Sequence, residues 1–135
     1  MDIFDCVLPT RNGRNGAFFT DSGLLTIRNA RFAADKDPIS QSCQCLTCQS
    51  YSRAYLHHLF KCKEILGCRL ATLHNLHYYL NLMQRMRNAL STENFNEFYM
   101  HESPKLKKAY PGRTERVASP FRERDFNENI FSVPF

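Results

Sequence analysis

No run in this chain approaches the roughly 20 consecutive apolar residues that a bilayer-spanning helix needs, and no segment repeats another. A membrane protein and a repeat array are therefore not expected. Nor is Met1 followed by the basic and then apolar stretch of a secretory leader, so its six cysteines are not expected to meet an oxidising compartment. A soluble, cytoplasmic protein is the reading. Acidic charge is also in short supply, with 13 Asp plus Glu against 18 Lys plus Arg, giving +5 and a pI near 9.0. That is a mild bias toward a polyanionic partner, and it establishes none by itself. What remains is a chain of 135 residues, 43% of them hydrophobic, enough for one ordinary domain.

Three of the cysteines lie within six residues, Cys43, Cys45 and Cys48, in the pattern C-x-C-x-x-C, and His74 follows 26 positions after the last. Thiolates gathered by one tight turn, completed by an imidazole from a later helix, suit the closed tetrahedral coordination of structural zinc. Such a site holds structure and performs no chemistry. A disulfide between Cys43 and Cys45 is disfavoured because near neighbours cannot reach relaxed bridge geometry. His57, His58, His77 and His101 are alternative fourth ligands; His74 is preferred because Thr72-Leu73-His74-Asn75 stands at the expected start of a helix. Cys6, Cys62 and Cys68 are expected to be small buried apolar residues.

Along the chain, Ile3 to Leu8 reads as a short buried strand closed by Pro9. The stretch Thr10 to Gly16 contains two Asn-Gly pairs and reads as a loop with two tight turns, from which Arg11 and Arg14 project. Ala17 to Thr20 and Leu24 to Arg28, joined by Asp21-Ser22-Gly23, suggest a hairpin, with Ala30 to Ala33 as a third strand and Asp37-Pro38 ending the β portion. After the cysteines, Tyr55, Leu56, Leu59, Phe60 and Ile65 recur at helical spacing, and Gly67 suits a position just past a helix end. A second helix is expected from Asn75 to about Leu90, packing on Leu76, Leu80, Met83 and Leu90, with Phe95 and Phe98 closing the core.

Beyond about Ser103, basic residues such as Lys105, Lys107, Lys108 and Arg113 occur among prolines with little apolar periodicity. This end, residues 104–135, reads as a mostly disordered basic tail. It is either a solvated extension or an arm that gathers phosphates.

Four segments together carry a family resemblance: Phe4-Asp5-Cys6-Val7-Leu8-Pro9-Thr10-Arg11-Asn12-Gly13-Arg14-Asn15-Gly16; Cys43-Gln44-Cys45-Leu46-Thr47-Cys48; Ser52-Arg53-Ala54-Tyr55-Leu56-His57-His58-Leu59; and His74-Asn75. In order and spacing they resemble the C-terminal portion of bacterial tRNA-guanine transglycosylase, also called queuine tRNA-ribosyltransferase. The resemblance covers roughly residues 1 to 100 and is far more specific than a zinc pattern alone.

The resemblance implies exchange of the wobble guanine of certain tRNA anticodons for a deazaguanine precursor of queuosine. It assigns Asp5 as the nucleophile that attacks the ribose C1′ and holds the nucleoside as an ester, and Arg11 and Arg14 as contacts to the tRNA anticodon loop. It implies an α/β fold, the C-terminal fragment of a (β/α)₈ TIM barrel (last strand and helices) with an inserted zinc-binding α+β subdomain. The corresponding division is residues 1–16 as last strand and anticodon loop, 17–103 as zinc-binding subdomain and barrel helices, and 104–135 as tail. Structural Zn²⁺ on Cys43, Cys45, Cys48 and His74, a deazaguanine base, a homodimer, and an N-terminal barrel portion or complementing chain are the implied cofactor and partners. The guanine pocket and the general acid/base aspartate belong to earlier strands of the family, so the isolated chain is expected to be inactive. The alternative is a non-catalytic, zinc-stabilised tRNA-binding or subunit-docking fragment.

Overall fold

The computed structural model describes residues 5–109, with side chains described as far as Lys105. Its first element is a helix, α1 (Leu8–Arg14), with Pro9 in the first turn, where a fixed φ is preorganised and a missing N–H costs no bond. The strand expected over Ile3 to Leu8 is thus corrected at its described end: Asp5 to Val7 is irregular and Leu8 is helical, while Ile3 and Phe4 lie outside the described residues. The Arg11 amide already donates to Val7 O at 2.9 Å. The expected double turn is corrected too, because Asn12-Gly13 lies inside α1 and only Asn15-Gly16 turns, with Gly16 at φ 75°. Gly13 is needed for proximity instead. A Cβ there would stand 2.8 Å from Thr72 Oγ1 and 3.0 Å from Thr72 N, so the lack of a side chain lets α1 lie directly on a later helix.

The hairpin forms nearly as expected, as β1 (Ala17–Thr20) and β2 (Gly23–Thr26), antiparallel, with Phe18 opposite Leu25 and Thr20 opposite Gly23. Ala30–Phe32 is a single 3₁₀ turn and not a third strand. Asn29 bends the chain there by accepting the Arg31 amide at 3.1 Å, a local bond that competes with strand pairing.

Four helices follow: α2 (Leu46–Ser50), α3 (Arg53–Lys61), α4 (Ile65–Ser91) and α5 (Phe95–Ala109). Ser52 caps α3, its hydroxyl accepting the Tyr55 amide. The helix ends with Lys63 at φ 58° and the Glu64 amide donating back to Leu59 O, a Schellman closure built without glycine. Gly67 is therefore not a terminator. It is buried within α4, where a Cβ would lie 3.2 Å from Leu59 Cβ. The helix expected to begin at Asn75 begins at Ile65, which puts His74 inside it and not at its start.

The phase of α4 also differs from expectation. Gly67, Leu70, Ala71, His74, Asn75, Leu82 and Ala89 face inward, whereas Leu76, Leu80 and Leu90 are 42%, 70% and 59% exposed and Met83 is only partly buried. Apolar residues occupy both sides of this helix, and the side with glycine and alanine wins because neighbouring backbones can approach it.

Phe18, Ile27, Phe32, Ile39, Leu56, Phe60 and Leu70 form the core, and Cys45 and Cys48 belong to it. Of the cysteines expected to be buried, Cys6 and Cys62 are exposed and Cys68 is partly so. Cys6 lies in the irregular entry segment and Cys62 at the open end of α3, where nothing packs over a small side chain. Residues 104–109 are helical, not tail: α5 passes through Pro104. Buried Glu102, bonded to Arg85 at 3.0 Å and to Lys105 at 3.1 Å, ties this helix to α4. Phe95 and Phe98 are partly buried. Residues 110–135 lie outside the described part, and among the described residues no helix is long and apolar enough to cross a membrane.

Candidate metal centre

Cys45, Thr47 and Cys48 come from the start of α2, and Cys43 from the turn before it. Cys45 is the N-cap of α2, its sulfur accepting the Cys48 amide at 3.4 Å, so the bond that starts the helix also aims two sulfurs to one side. Thr47, fully buried, donates its hydroxyl to Leu70 O at 2.8 Å and fastens α2 to α4. One turn further along α4, His74 faces the cysteines. Its Nδ1 lies 3.9, 3.4 and 3.3 Å from the sulfurs of Cys43, Cys45 and Cys48, and all four donor atoms fall within 4.8 Å of one another. A tetrahedron with zinc–sulfur bonds near 2.3 Å and a zinc–nitrogen bond near 2.0 Å has edges of about 3.5–3.8 Å. The cluster fits a structural zinc ion, and all four ligands expected from the sequence are brought together.

The surroundings prepare these groups for a cation. His74 Nε2 donates to Phe19 O at 2.8 Å, which fixes the tautomer and leaves the Nδ1 lone pair toward the sulfurs. Hydrogen bonding from the Cys48 thiol, supported by the Cys48 amide, holds Cys45 far below an ordinary thiol, at about 3. The same bond retains the proton of Cys48 and pushes its pKa up, and burial raises Cys43. Backbone N–H groups of Cys45, Cys48 and Ser40 serve the sulfurs of Cys43, Cys45 and Cys48 respectively, favouring the thiolate state that a metal requires. Bound zinc would supply no reactive position here. Its chemistry is the cross-linking of α2, the preceding turn and α4.

None of the alternative histidines competes. His57 is buried and bonded to Ile27 O at 2.7 Å, His58 lies beside Cys62, His77 pairs with Asn81, and His101 with Glu102.

Sequence reasoning missed Asn75. Fully buried next to His74, it accepts the Phe19 amide at 3.0 Å and donates to Pro9 O and Ala17 O, both at 3.0 Å. It thereby joins α1, β1 and α4 at one side chain. No local signal marked it, because the face of α4 on which it lies is not the apolar stripe expected from the sequence. Asp5 is exposed in the irregular entry segment, and Arg11 and Arg14 are exposed in the last turn of α1.

A family model described as queuine tRNA-ribosyltransferase matches residues 1–108. Among curated proteins, the queuine tRNA-ribosyltransferase of Buchnera aphidicola subsp. Schizaphis graminum is 56% identical over 98 residues, 73% of this chain and 27% of the relative. That of Dichelobacter nodosus is 55% identical over 98 residues with the same two shares, and that of Dehalococcoides mccartyi strain BAV1 is 59% identical over 98 residues, 73% of this chain and 25% of the relative. The chain spans about a quarter of the length of the curated relatives it matches. With a match this extensive, and the thiolate and imidazole ligands meeting within it, the chain belongs to the queuine tRNA-ribosyltransferase family.

Proposed function

We propose that this chain supplies the C-terminal part of an enzyme that exchanges guanine at the tRNA wobble position for a deazaguanine precursor of queuosine, acting in the cytoplasm. The observation that carries this is the family match across residues 1–108. In this reading residues 1–16 are the end of the last strand of a (β/α)₈ barrel and its anticodon-contacting segment, 17–103 are the inserted zinc unit and outer helices, and 104–135 are the basic end. Asp5 is the nucleophile. One carboxylate oxygen bonds to the ribose C1′ as the bond from C1′ to guanine breaks and guanine departs with its electron pair, taking up a proton. The incoming base then displaces Asp5 from the same carbon, so two inversions retain configuration. Exposure of Asp5 beside α1 is compatible with this task.

Arg11 and Arg14, three residues apart and exposed at the basic end of α1, are suited to phosphates and splayed bases of an anticodon loop. The base pocket and the general acid/base come from the portion of the relatives that this chain does not span.

The second reading, a docking fragment without activity, draws on α4. A helix apolar on both faces is built to be covered on both, and among the described residues Ile65 and Leu80 are mostly exposed and Leu73 and Leu76 partly so. Both readings are separated by one assay: guanine exchange into tRNA with the chain alone and with a complementing N-terminal barrel fragment, each with and without Asp5→Asn. Exchange only in the mixture, lost with Asp5→Asn, supports the enzyme. Exchange that survives Asp5→Asn overturns the nucleophile, and a stable but inactive mixture favours docking.

A further inference from the structure

The four zinc ligands are held very unequally. Cys45, Cys48 and His74 are 5%, 8% and 1% exposed, whereas Cys43 is only half buried. Cys45 caps α2, Cys48 lies within it, and His74 is three turns into α4 and bonded to Phe19 O. Cys43 belongs to no helix or strand. Its amide makes one long bond, to Ser40 O at 3.4 Å, and its sulfur is the one farthest from His74 Nδ1. Beside it opens a cavity of about 270 Å³ between the β1–β2 turn, the Ser40–Cys43 turn and α4. Cys43 and His74 border this cavity; Cys45 and Cys48 do not. Its other walls include Ser42, His77, Asn81 and Arg85, a polar lining that keeps water and lets a charged molecule enter without full desolvation.

We propose that Cys43 is the exchange ligand of the zinc site: the ion enters and leaves through this cavity, and a small thiol or chelator arriving there takes the place of Cys43 before any other ligand yields. The step is a substitution. A lone pair of the incoming donor forms its bond to zinc as the bond to Cys43 Sγ breaks, Cys43 leaves as a thiolate, and the ion stays divalent, so no oxidant is consumed. Releasing Cys45 or Cys48 would open the cap of α2 and part of the core, whereas releasing Cys43 moves only an exposed turn. The inference rests on the zinc assignment and not on the reaction proposed above.

The zinc-loaded full chain tests it with limiting iodoacetamide and peptide mass spectrometry, alongside zinc release to the chromophoric chelator 4-(2-pyridylazo)resorcinol. Among the three ligand cysteines, Cys43 should be alkylated first, at least about tenfold faster than the others, in step with metal release. Ser42→Leu, which narrows the cavity, should slow release severalfold, and Cys43→Ser should speed it. Should Cys43→Ser fail to fold, the alkylation order in the unaltered chain still decides. Alkylation of Cys45 or Cys48 as fast as Cys43, or release indifferent to Ser42→Leu, would overturn the proposal.

Discussion

Glu102 is a buried carboxylate with three nitrogen partners, Arg85, His101 and Lys105. It is 3% exposed, and its Oε1 accepts from Arg85, His101 and Lys105 while Oε2 is buried without a partner. Desolvation pushes its pKa up, yet the hydrogen bond from Lys105 and the charge of Arg85 prevail and hold the carboxyl below its ordinary value. A depressed folded-state pKa stabilises above the unfolded carboxylate value, about 4.3, and the contribution disappears as pH falls through the folded value. Glu102→Gln should therefore cost about 1–3 kcal/mol at pH 7. The gap between urea melts of the two proteins should begin to narrow as pH falls through the unfolded value, about 4.3, and go on narrowing below it, and a gap that widened on acidification would contradict this sign. Asn75 is the other single residue on which much depends. Asn75→Ala leaves Pro9, Phe19 and Ala17 backbone groups unanswered in the interior and should cost about 3 kcal/mol, read from the same melts. Of these residues only the zinc ligands were legible beforehand, because thiolate spacing is a chemical signature. The value of Asn75 lies in groups brought from 56 to 66 positions away, which no local pattern encodes.

Elements were legible where their signals were local. The hairpin came within two residues because a two-residue turn between apolar runs is specific, and the end of α4 at Ser91 falls within a residue of the expected Leu90. The end of α3 was misread because its αL position holds Lys63 at φ 58° in place of a glycine, and α4 ends on a similar residue, Glu93 at φ 57°. The Asn94 amide donates to Ala89 O, so α4 ends in the same Schellman pattern as α3. Lys63→Gly and Glu93→Gly should each raise stability by about 0.5–1 kcal/mol, since a Cβ in that conformation is strained. Thermal melts that fall would refute it. Gly13 tests the opposite case. Alanine favours a helix by about 1 kcal/mol, but here it would press on Thr72, backbone included, so Gly13→Ala should lower the melting temperature and loosen α1. A more stable variant would mean that α1 does not seat on α4 as described. The phase of α4 could not be chosen from its sequence, because Leu76 and Leu80 offer as good an apolar stripe as the residues it buries.

For the molecule as a whole, zinc adds a cross-link between α4 and the Cys43 turn and α2 in the middle of the core, and the fold and the metal should be lost together. One equivalent of zinc by elemental analysis, and a lower melting temperature after chelation, are expected; a melt indifferent to chelator would exclude a structural ion. In a reconstituted enzyme, replacing Arg11 and Arg14 with Ala should weaken discrimination between cognate and non-cognate anticodon loops. Deleting residues 110–135 should instead weaken binding to all RNAs alike and flatten its salt dependence, as titrations at two salt concentrations would report. Barrel and activity entered the sequence reading through resemblance rather than periodicity, since a chain spanning about a quarter of its relatives holds too few strands to declare a barrel by pattern. One bond set reaches further than stability. β1 pairs with β2 on one side only, and its other edge, through Ala17 O and both peptide groups of Phe19, is occupied by the side chains of His74 and Asn75. Two helical side chains thus stand where a neighbouring strand would otherwise add, and one of them is a metal ligand. Stripping the zinc would remove one of the two holds on His74 and leave the Phe19 O position of this edge to a single hydrogen bond, with Asn75 still covering Phe19 N and Ala17 O. Metal-depleted protein should therefore form intermolecular β-aggregates more readily than the loaded form, and Asn75→Ala, which bares the rest of the edge, should add to that tendency in thioflavin fluorescence.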